Sequence, residues 1–283
     1  MKTINKIITF SSIVVGAIVI ILLVAAGEKN ANHSIIQSIQ AQNNIKDLPV
    51  KTNDAFKEGE VLTYRLHYGM IEAAHATLEV KPEIEKIGPR ECYHIVGIGT
   101  SKGSVDFFFK VRDRYETHID KNSLVPWIFN RNCYEGGYTI HQNYNFDHYS
   151  QKVDVGGGET FPIIAGTQDM ISAFYSARNL DFTDAKVGDT YALNCFIDKE
   201  NWPLKIKFVG RETIKSEIGK IRCLKFRPIV QKGRVFKKEE DLNVWISDDK
   251  NHIPIRAQAK ILVGAINLDL TGYKNINNPM AKE

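Results

Sequence analysis

Apolar and polar side chains alternate along several segments of this chain, and this pattern limits the folds that it can adopt. The clearest run places Leu62, Tyr64, Leu66 and Tyr68 at every second position, with polar residues between them. The same period of two recurs over residues 76–81, 204–208 and 255–263. Side chains on a β-strand point to opposite faces in turn, so each run predicts a strand with one buried face.

Turn-forming residues separate these runs, at positions 86–89, 135–137, 156–158, 188–189, 217–219 and 247–249. Such spacing is typical of antiparallel hairpins that follow one another along the chain. A long antiparallel sheet curls or closes, because an unpaired edge strand is prone to pair with other chains. We therefore predict an all-β fold built on one large curved antiparallel sheet, either a half-barrel or a barrel-like sandwich.

One segment departs from the strand pattern and predicts a single short helix that begins at Thr167 and ends near residue 180. Thr167 can cap its start, and Asp169 in the first turn favours the helix dipole. Met170, Phe174 and Ala177 then recur at helical spacing and form an apolar stripe. We expect this stripe to be buried across the open face or mouth of the curved sheet.

The first 27 residues predict a membrane segment. The stretch from Ile7 to Gly27 holds 21 residues without a charge, and Lys2 and Lys6 precede it. A helix of this length crosses about 30 Å of hydrocarbon, which indicates a signal-anchor. A cleaved secretory signal peptide is the alternative, since the small residues at 24–27 offer a cleavage site. Either interpretation predicts a cell-envelope protein that faces the periplasm, anchored in the inner membrane or secreted.

The rest of the chain divides into three parts. Residues 28–55 lack periodic apolar spacing and predict a flexible tether. Residues 56–272 carry the alternating runs and predict one β domain, and residues 273–283 form a C-terminal tail. The composition, 43% hydrophobic and 25% charged, is ordinary for a globular protein, so we expect a real hydrophobic core.

Charge and cysteine usage exclude some classes of partner. The net charge is only +4, and residues 237–241 show how both signs alternate, so no basic stripe is available for nucleic acid. Cys92, Cys133, Cys195 and Cys223 lie far apart, without the spacing of zinc ligands. We expect no metal and no cofactor. The four cysteines either form up to two disulfides or remain buried thiols.

Motifs of catalysis are few. One G-x-S-x-G sequence, GTSKG at 99–103, is present, but no glycine-rich loop opens a helix after a strand. The densest polar segment is 141–148, in which strand alternation puts His141 and Asp147 on one face and His148 on the other. A solvated strand face explains this segment. A hydrolase that uses either histidine with an acid such as Asp147 is the least favoured of three functional hypotheses.

Aromatic side chains are the best candidates for ligand contacts. If Phe107, Phe108 and Phe109 lie in a strand, their rings point to both faces, and at least one face must be covered. An apolar cavity would satisfy this requirement, and so would ordinary packing. The candidate lining residues are Phe108, Trp127, Phe129, Phe174, Tyr175 and Trp245.

Four local sequences together resemble a known family. They are GEVLTY at 59–64, FKVRDRYE at 109–116, DMISAFYSAR at 169–178, and WISDD at 245–249 leading to IPIR at 253–256. These sequences resemble the bacterial envelope family called domain of unknown function 3108 (DUF3108) over residues 56–272. This resemblance implies an envelope location and a β-rich fold, and it supplies no catalytic residue. The last sequence is also similar to hairpins of the LolA-like lipoprotein carriers, which are half-barrels with helices over an apolar cavity.

The sequence thus favours a protein that works by contact and not by reaction. In the first hypothesis the curved sheet, plugged by the short helix, holds an acyl chain or another apolar ligand. In the second, the domain has a filled core and is a structural or interaction module that binds another envelope protein. The membrane is the remaining expected partner, through the N-terminal helix.

Overall fold

The computed structural model describes residues 47–229, 242–260 and 264–283. The apolar leader and most of the proposed tether lie outside these residues. Among the described residues, no helix combines the length and the apolar character needed to cross a bilayer.

One antiparallel sheet of fourteen strands forms the body of the described protein. The first eight strands are β1 (Val61–Tyr68), β2 (Ile71–Ile87), β3 (Arg90–Ser101), β4 (Val111–Asp120), β5 (Pro126–Glu135), β6 (Tyr138–Asp147), β7 (Lys152–Asp154) and β8 (Thr160–Pro162). The other six are β9 (Thr190–Ile197), β10 (Glu200–Ser216), β11 (Gly219–Pro228), β12 (Leu242–Ser247), β13 (Pro254–Lys260) and β14 (Ala265–Lys274). The curved antiparallel sheet that the alternating runs predict is confirmed.

The strand order explains how so long a sheet comes from simple hairpins. Strands β1 to β8 run from the centre to one edge, and β9 to β14 run from the other edge back to the centre. The first and last strands then pair, with Leu66 opposite Leu268. Hairpin connections therefore build each half, and one long-range pairing joins the halves.

The sheet is curved and unclosed, but its two edges approach each other. The backbone of Gln168 accepts a hydrogen bond from Phe196 N and donates one to Asn194 O, each 2.8 Å long. Asn201 Nδ2 also donates to Pro162 O at 2.8 Å. Hydrogen bonds from the segment between β8 and β9 thus bridge the two edges of the sheet. They protect β8 and β9, which are otherwise unpaired on one side.

Two short helices accompany the sheet in the part of the chain that the structure describes. The predicted helix is present as α2 (Met170–Ala177), while a second helix, α1 (Gly103–Phe108), was not predicted. The start of α2 differs from the expectation: Asp169, and not Thr167, is the capping residue. The Asp169 side chain accepts from the backbone N–H of Ser172, whose hydroxyl bonds the Asp169 backbone in return. This reciprocal capping box outcompetes the single cap of Thr167.

The expectation that the three phenylalanines lie in a strand is wrong. Phe107 and Phe108 belong to α1 and are exposed, and Phe109 follows it. The Phe109 ring packs on Gly136 in the β5–β6 turn, where an added Cβ would lie only 2.2 Å from the ring. Packing of one ring on a glycine therefore leaves the other two in solvent.

Both ends of the described chain pack on the sheet. Ala55 and Phe56 are buried before β1 begins. After β14, Ala281 is buried and accepts a hydrogen bond from Arg222 N at 3.0 Å. The folded domain therefore includes residues from both the proposed tether and the proposed tail.

All four cysteines are buried free thiols. Of the two alternatives, disulfides or buried thiols, the structure therefore has buried thiols.

A buried ion pair fixes α2 to the sheet. Arg178, directly after the helix, donates from Nη1 and Nη2 to the Glu60 carboxylate at 2.6 and 2.8 Å. Its Nε and Nη2 also donate to the carbonyl oxygens of Asn251 and Ala55 at 2.8 and 2.9 Å. Both side chains are almost fully excluded from water. Arg178 thus forms a buried ion pair with Glu60, in addition to the favourable interaction of its charge with the dipole of α2.

We predict that Glu60→Gln lowers the free energy of unfolding by about 3–5 kcal/mol, because it leaves the Arg178 charge buried without a carboxylate. Denaturant unfolding of the purified protein measures this change. The matched control is Glu58→Gln, which removes a 2.9 Å pair with Lys121 that is about one third exposed and should cost at most about 1 kcal/mol. Equal losses in the two variants would contradict the role given to Arg178.

Candidate ligand-binding site

An apolar cavity lies between α2 and the core-facing side of the second half of the sheet. Its volume, counted as the space that the centre of a water-sized sphere can occupy, is about 80 Å³. Its wall includes Phe174, Ile206, Phe226, Val244, Ala257 and Leu268, which come from α2 and from five strands. This volume is below the about 300–1,000 Å³ of common ligand pockets, but the apolar wall is typical of them, so the cavity is the main candidate site.

The local sequence explains why the wall is apolar. In β12, Val244 and Ile246 both line the cavity, while Trp245 between them lies outside its wall. In α2, Phe174 and Ala177 lie three positions apart and face the same space. The strand period and the helix period therefore direct their apolar sides into one volume.

Three polar residues contribute to the wall. Arg178 has its hydrogen-bonding groups engaged by Glu60 and two backbone carbonyls. His252 Nδ1 donates to the Arg178 carbonyl at 2.7 Å, and burial lowers the pKa of His252, which favours the neutral ring. Tyr64 differs from both, because its hydroxyl is buried and finds no hydrogen-bond partner among the described residues.

The unpartnered hydroxyl of Tyr64 gives the cavity one specific polar group. Tyr64 is only 1% exposed, and burial raises the pKa of its phenol, so the hydroxyl keeps its proton and can donate a hydrogen bond. A buried hydroxyl without a partner costs free energy, which a ligand acceptor would recover. An acceptor on a ligand that reached this hydroxyl would supply the missing partner.

Of the six candidate lining residues, the structure places Phe174 in the cavity wall. Tyr175 is buried on the next position of α2 and packs edge-on against Phe56, with ring centroids 4.7 Å apart. Trp245 is buried outside the wall, and its indole N–H donates to Glu212. The helical and strand periods turn these two neighbours of wall residues away from the cavity.

The other three candidates lie in the first half of the sheet or beyond it. Phe129 is buried against Tyr144, Trp127 donates from its indole to Asp120 at 3.0 Å, and Phe108 is 82% exposed on α1. None of them contributes to the cavity wall. Ile206, Phe226 and Leu268 line the cavity but were not among the candidates. The only indication of them in the sequence is their position in alternating or apolar runs.

The histidines of segment 141–148 do not converge with the acid. His141 is exposed and bonds Asn132 at 2.9 Å, whereas His148 is buried and donates from Nε2 to Pro126 O at 2.7 Å. Asp147 accepts from Ser150 and from the backbone of the turn after β6. The alternation of exposed and buried residues along β6 agrees with a solvated strand face.

A second buried feature, which sequence reasoning missed, lies on the core-facing side of β4 and β5. Asp113 is directly opposite Cys133 in the strand register, and Glu135 is two positions further on the same face. Burial, and then the charge of Glu135, raise the pKa of Asp113 to about 7. Two carboxyls this close in a dry environment favour a shared proton over two charges.

The family model described as "Protein of unknown function (DUF3108)" matches residues 63–271, more than half of the chain, which confirms the resemblance seen in the sequence. No curated protein matches the sequence.

Several solved structures match the chain at low sequence identity. A β-barrel-like protein of domain of unknown function DUF1849 from Brucella abortus has 10% identity and a TM-score of 0.48, and the match covers 78% of this chain and 99% of that one. A candidate lipoprotein from Parabacteroides distasonis has 11% identity and a TM-score of 0.34, with coverage of 81% and 100%. The lipoprotein LppX from Mycobacterium tuberculosis has 11% identity and a TM-score of 0.15, with coverage of 88% and 98%.

The raised pKa of Asp113 predicts a pH dependence of stability. Below pH about 4 the carboxyl is protonated in both the folded and the unfolded chain. Between pH about 4 and about 7 only the folded chain keeps the proton, so the free energy of unfolding falls as pH rises, by up to about 1.4 kcal/mol per pH unit. Asp113→Asn cannot ionise and should lack this fall.

Denaturant unfolding at pH 4 and pH 8 checks this expectation. Asp113→Asn should be more stable than the wild-type protein at pH 8, and the difference should shrink toward pH 4. A difference that stays constant between the two pH values would show that the carboxyl does not titrate in this range.

Proposed function

The chain belongs to the DUF3108 family, and we propose that its folded domain is a non-enzymatic binding module that holds an acyl chain or a similar apolar ligand. The ligand would occupy the cavity between α2 and strands β10 to β14. The observation that carries this proposal is the cavity itself, which joins an apolar wall to one unpartnered buried hydroxyl. An acyl chain with an ester or carboxyl group has the matching chemistry.

The proposal includes a cell-envelope location. Its support is the uncharged segment 7–27 with its preceding lysines, which predicts delivery across a membrane. The folded domain would then face the periplasm, either anchored in the inner membrane or released there. In that compartment a cavity for acyl chains has access to lipids.

The direct test is to find the ligand and to block its site. Protein purified at full length is extracted with organic solvent, and co-purified lipid is identified by mass spectrometry. The delipidated protein is then titrated with cis-parinaric acid, a fluorescent fatty acid. We expect Ala177→Phe to weaken binding at least tenfold, or by about 1.4 kcal/mol, because the added ring fills the cavity.

Ala185→Phe is the matched control, since Ala185 is also half-buried but lies outside the cavity wall. This variant should bind like the wild-type protein. Absence of lipid in the extract together with absence of cis-parinaric acid binding would refute the proposal. Equal loss in both variants would place the site elsewhere.

Tyr64→Phe tests the polar contact separately. Removing the hydroxyl should weaken binding of the fatty acid about tenfold, since a hydrogen bond contributes about 0.5–1.5 kcal/mol. Binding of an alkane of equal length should not change, because it offers no acceptor. The free energy of unfolding without ligand should stay the same or rise, because the hydroxyl has no partner to lose. Equal effects on acid and alkane would argue against this contact.

A specific observation also favours the second function, an interaction module that contacts another envelope protein. Phe107 and Phe108 are 85% and 82% exposed on α1, and Met70 and Ile71 are exposed in the β1–β2 hairpin. The register of β2 and β3 puts both connections at the same end of the sheet, since Ala74 pairs with Ser101. Exposed apolar side chains grouped in this way commonly mark interaction sites.

A further inference from the structure

A cluster of two histidines and two glutamates lies on the outer face of the sheet, away from the cavity. His94 on β3 and His118 on β4 are directly opposite each other in the register, and their rings stack with centroids 4.5 Å apart. Glu85 reaches both rings from β2. The neighbouring Tyr93 and Ile119 are buried in the core, so alternation directs the histidines outward.

We propose that Glu85, His94 and His118 form a binding site for a divalent transition-metal ion such as Zn²⁺. Each residue offers one ligand atom, and these atoms lie within 4.8 Å of one another. Two histidines with one carboxylate are a known ligand set of zinc sites in proteins.

The distances suit a metal without rearrangement of the strands. His94 Nδ1 lies 2.9 Å from Glu85 Oε1, and His118 Nε2 lies 2.9 Å from Glu85 Oε2. With zinc bonds of about 2.0–2.1 Å in a tetrahedron, neighbouring ligand atoms are about 3.3 Å apart. The two short distances use different Glu85 oxygens, and the two rings are stacked at an interplanar angle of 10°. The Glu85 side chain must therefore rotate, and the rings must tilt toward each other, for one ion to contact all three residues.

An independent feature supports the role of His94. Its other nitrogen, Nε2, lies 2.8 Å from Glu116 Oε2, and Arg114 Nε donates to the second oxygen of that carboxylate at 2.6 Å. A histidine that binds a metal typically donates its remaining ring N–H to a carboxylate, which fixes the ring and its tautomer. Glu116 thus occupies the place of a supporting carboxylate and is already oriented.

The site is open on one side. The Glu85 side chain is 45% exposed, whereas the side chains of His94 and His118 are 15% and 11% exposed. Three protein ligands leave a fourth position for water or an exogenous ligand. Imidazole nitrogens favour Zn²⁺, Cu²⁺ and Ni²⁺ over Mg²⁺, which prefers oxygen ligands. The site therefore fits a borderline transition ion and discriminates against the abundant hard cations.

The test uses the full chain, stripped with a chelator and titrated with ZnCl₂ by isothermal calorimetry. We expect one Zn²⁺ per chain, and no uptake of MgCl₂ at the same concentrations. His118→Asn and Glu85→Gln should each weaken zinc binding at least tenfold, and Glu116→Gln by about 10–100-fold. Because Glu85 is exposed, its variant should fold even if the His118 variant does not, which thermal unfolding followed by circular dichroism checks.

His75→Asn is the matched control. His75 also bonds a glutamate, Glu72, at 2.6 Å, but no second histidine within the described ranges shares that carboxylate. This variant should bind zinc like the wild-type protein, and zinc should raise its melting temperature equally. The proposal is overturned if the wild-type chain takes up no zinc, or if Glu85→Gln binds it as tightly as the control does.

Discussion

The buried ion pair between Arg178 and Glu60 is the contact on which the position of α2 depends. Both charges are out of reach of water, so each requires the other, and removal of either leaves an uncompensated charge. The same guanidinium also binds carbonyl oxygens of Ala55 and Asn251. One side chain thereby joins three segments that are distant in sequence, around residues 55–60, 178 and 251. The cavity exists because this anchor holds Phe174 and Ala177 over the sheet.

The two halves of the sheet use their core-facing sides differently. The half that contains β10 to β14 forms most of the wall of an apolar cavity, and Tyr64 of β1 adds a hydroxyl that has no partner among the described residues. The other half packs aromatic side chains around a polar group in which Asp113 and Glu135 favour a shared proton. The proposed ligand therefore fits only against the half that contains β10 to β14. In the other half, the polar group makes the stability of the protein depend on pH.

The outer face carries chemistry that the core does not. Strand alternation sends every second side chain of β2, β3 and β4 outward, and there His94 and His118 meet Glu85. These residues belong to three strands and have no common spacing in the chain. The cysteines lack the spacing of zinc ligands, and for that reason the sequence predicted no metal site. Cysteine spacing, however, says nothing about ligands that come together from different strands.

The sequence by itself determined the all-β class, the antiparallel hairpins, the family and the approximate place of α2, because these depend on local periodicity, turn residues and local sequence similarity. It also gave Phe174 as a wall residue through the helical stripe. Only the tertiary structure decided the rest. Strand register and long-range packing decide four features of the structure. They are the pairing of β1 with β14, the orientation of Trp245 away from the cavity, the helical state of Phe107 and Phe108, and the contact between His94 and His118. Those contacts join residues far apart in the chain, so no local pattern encodes them.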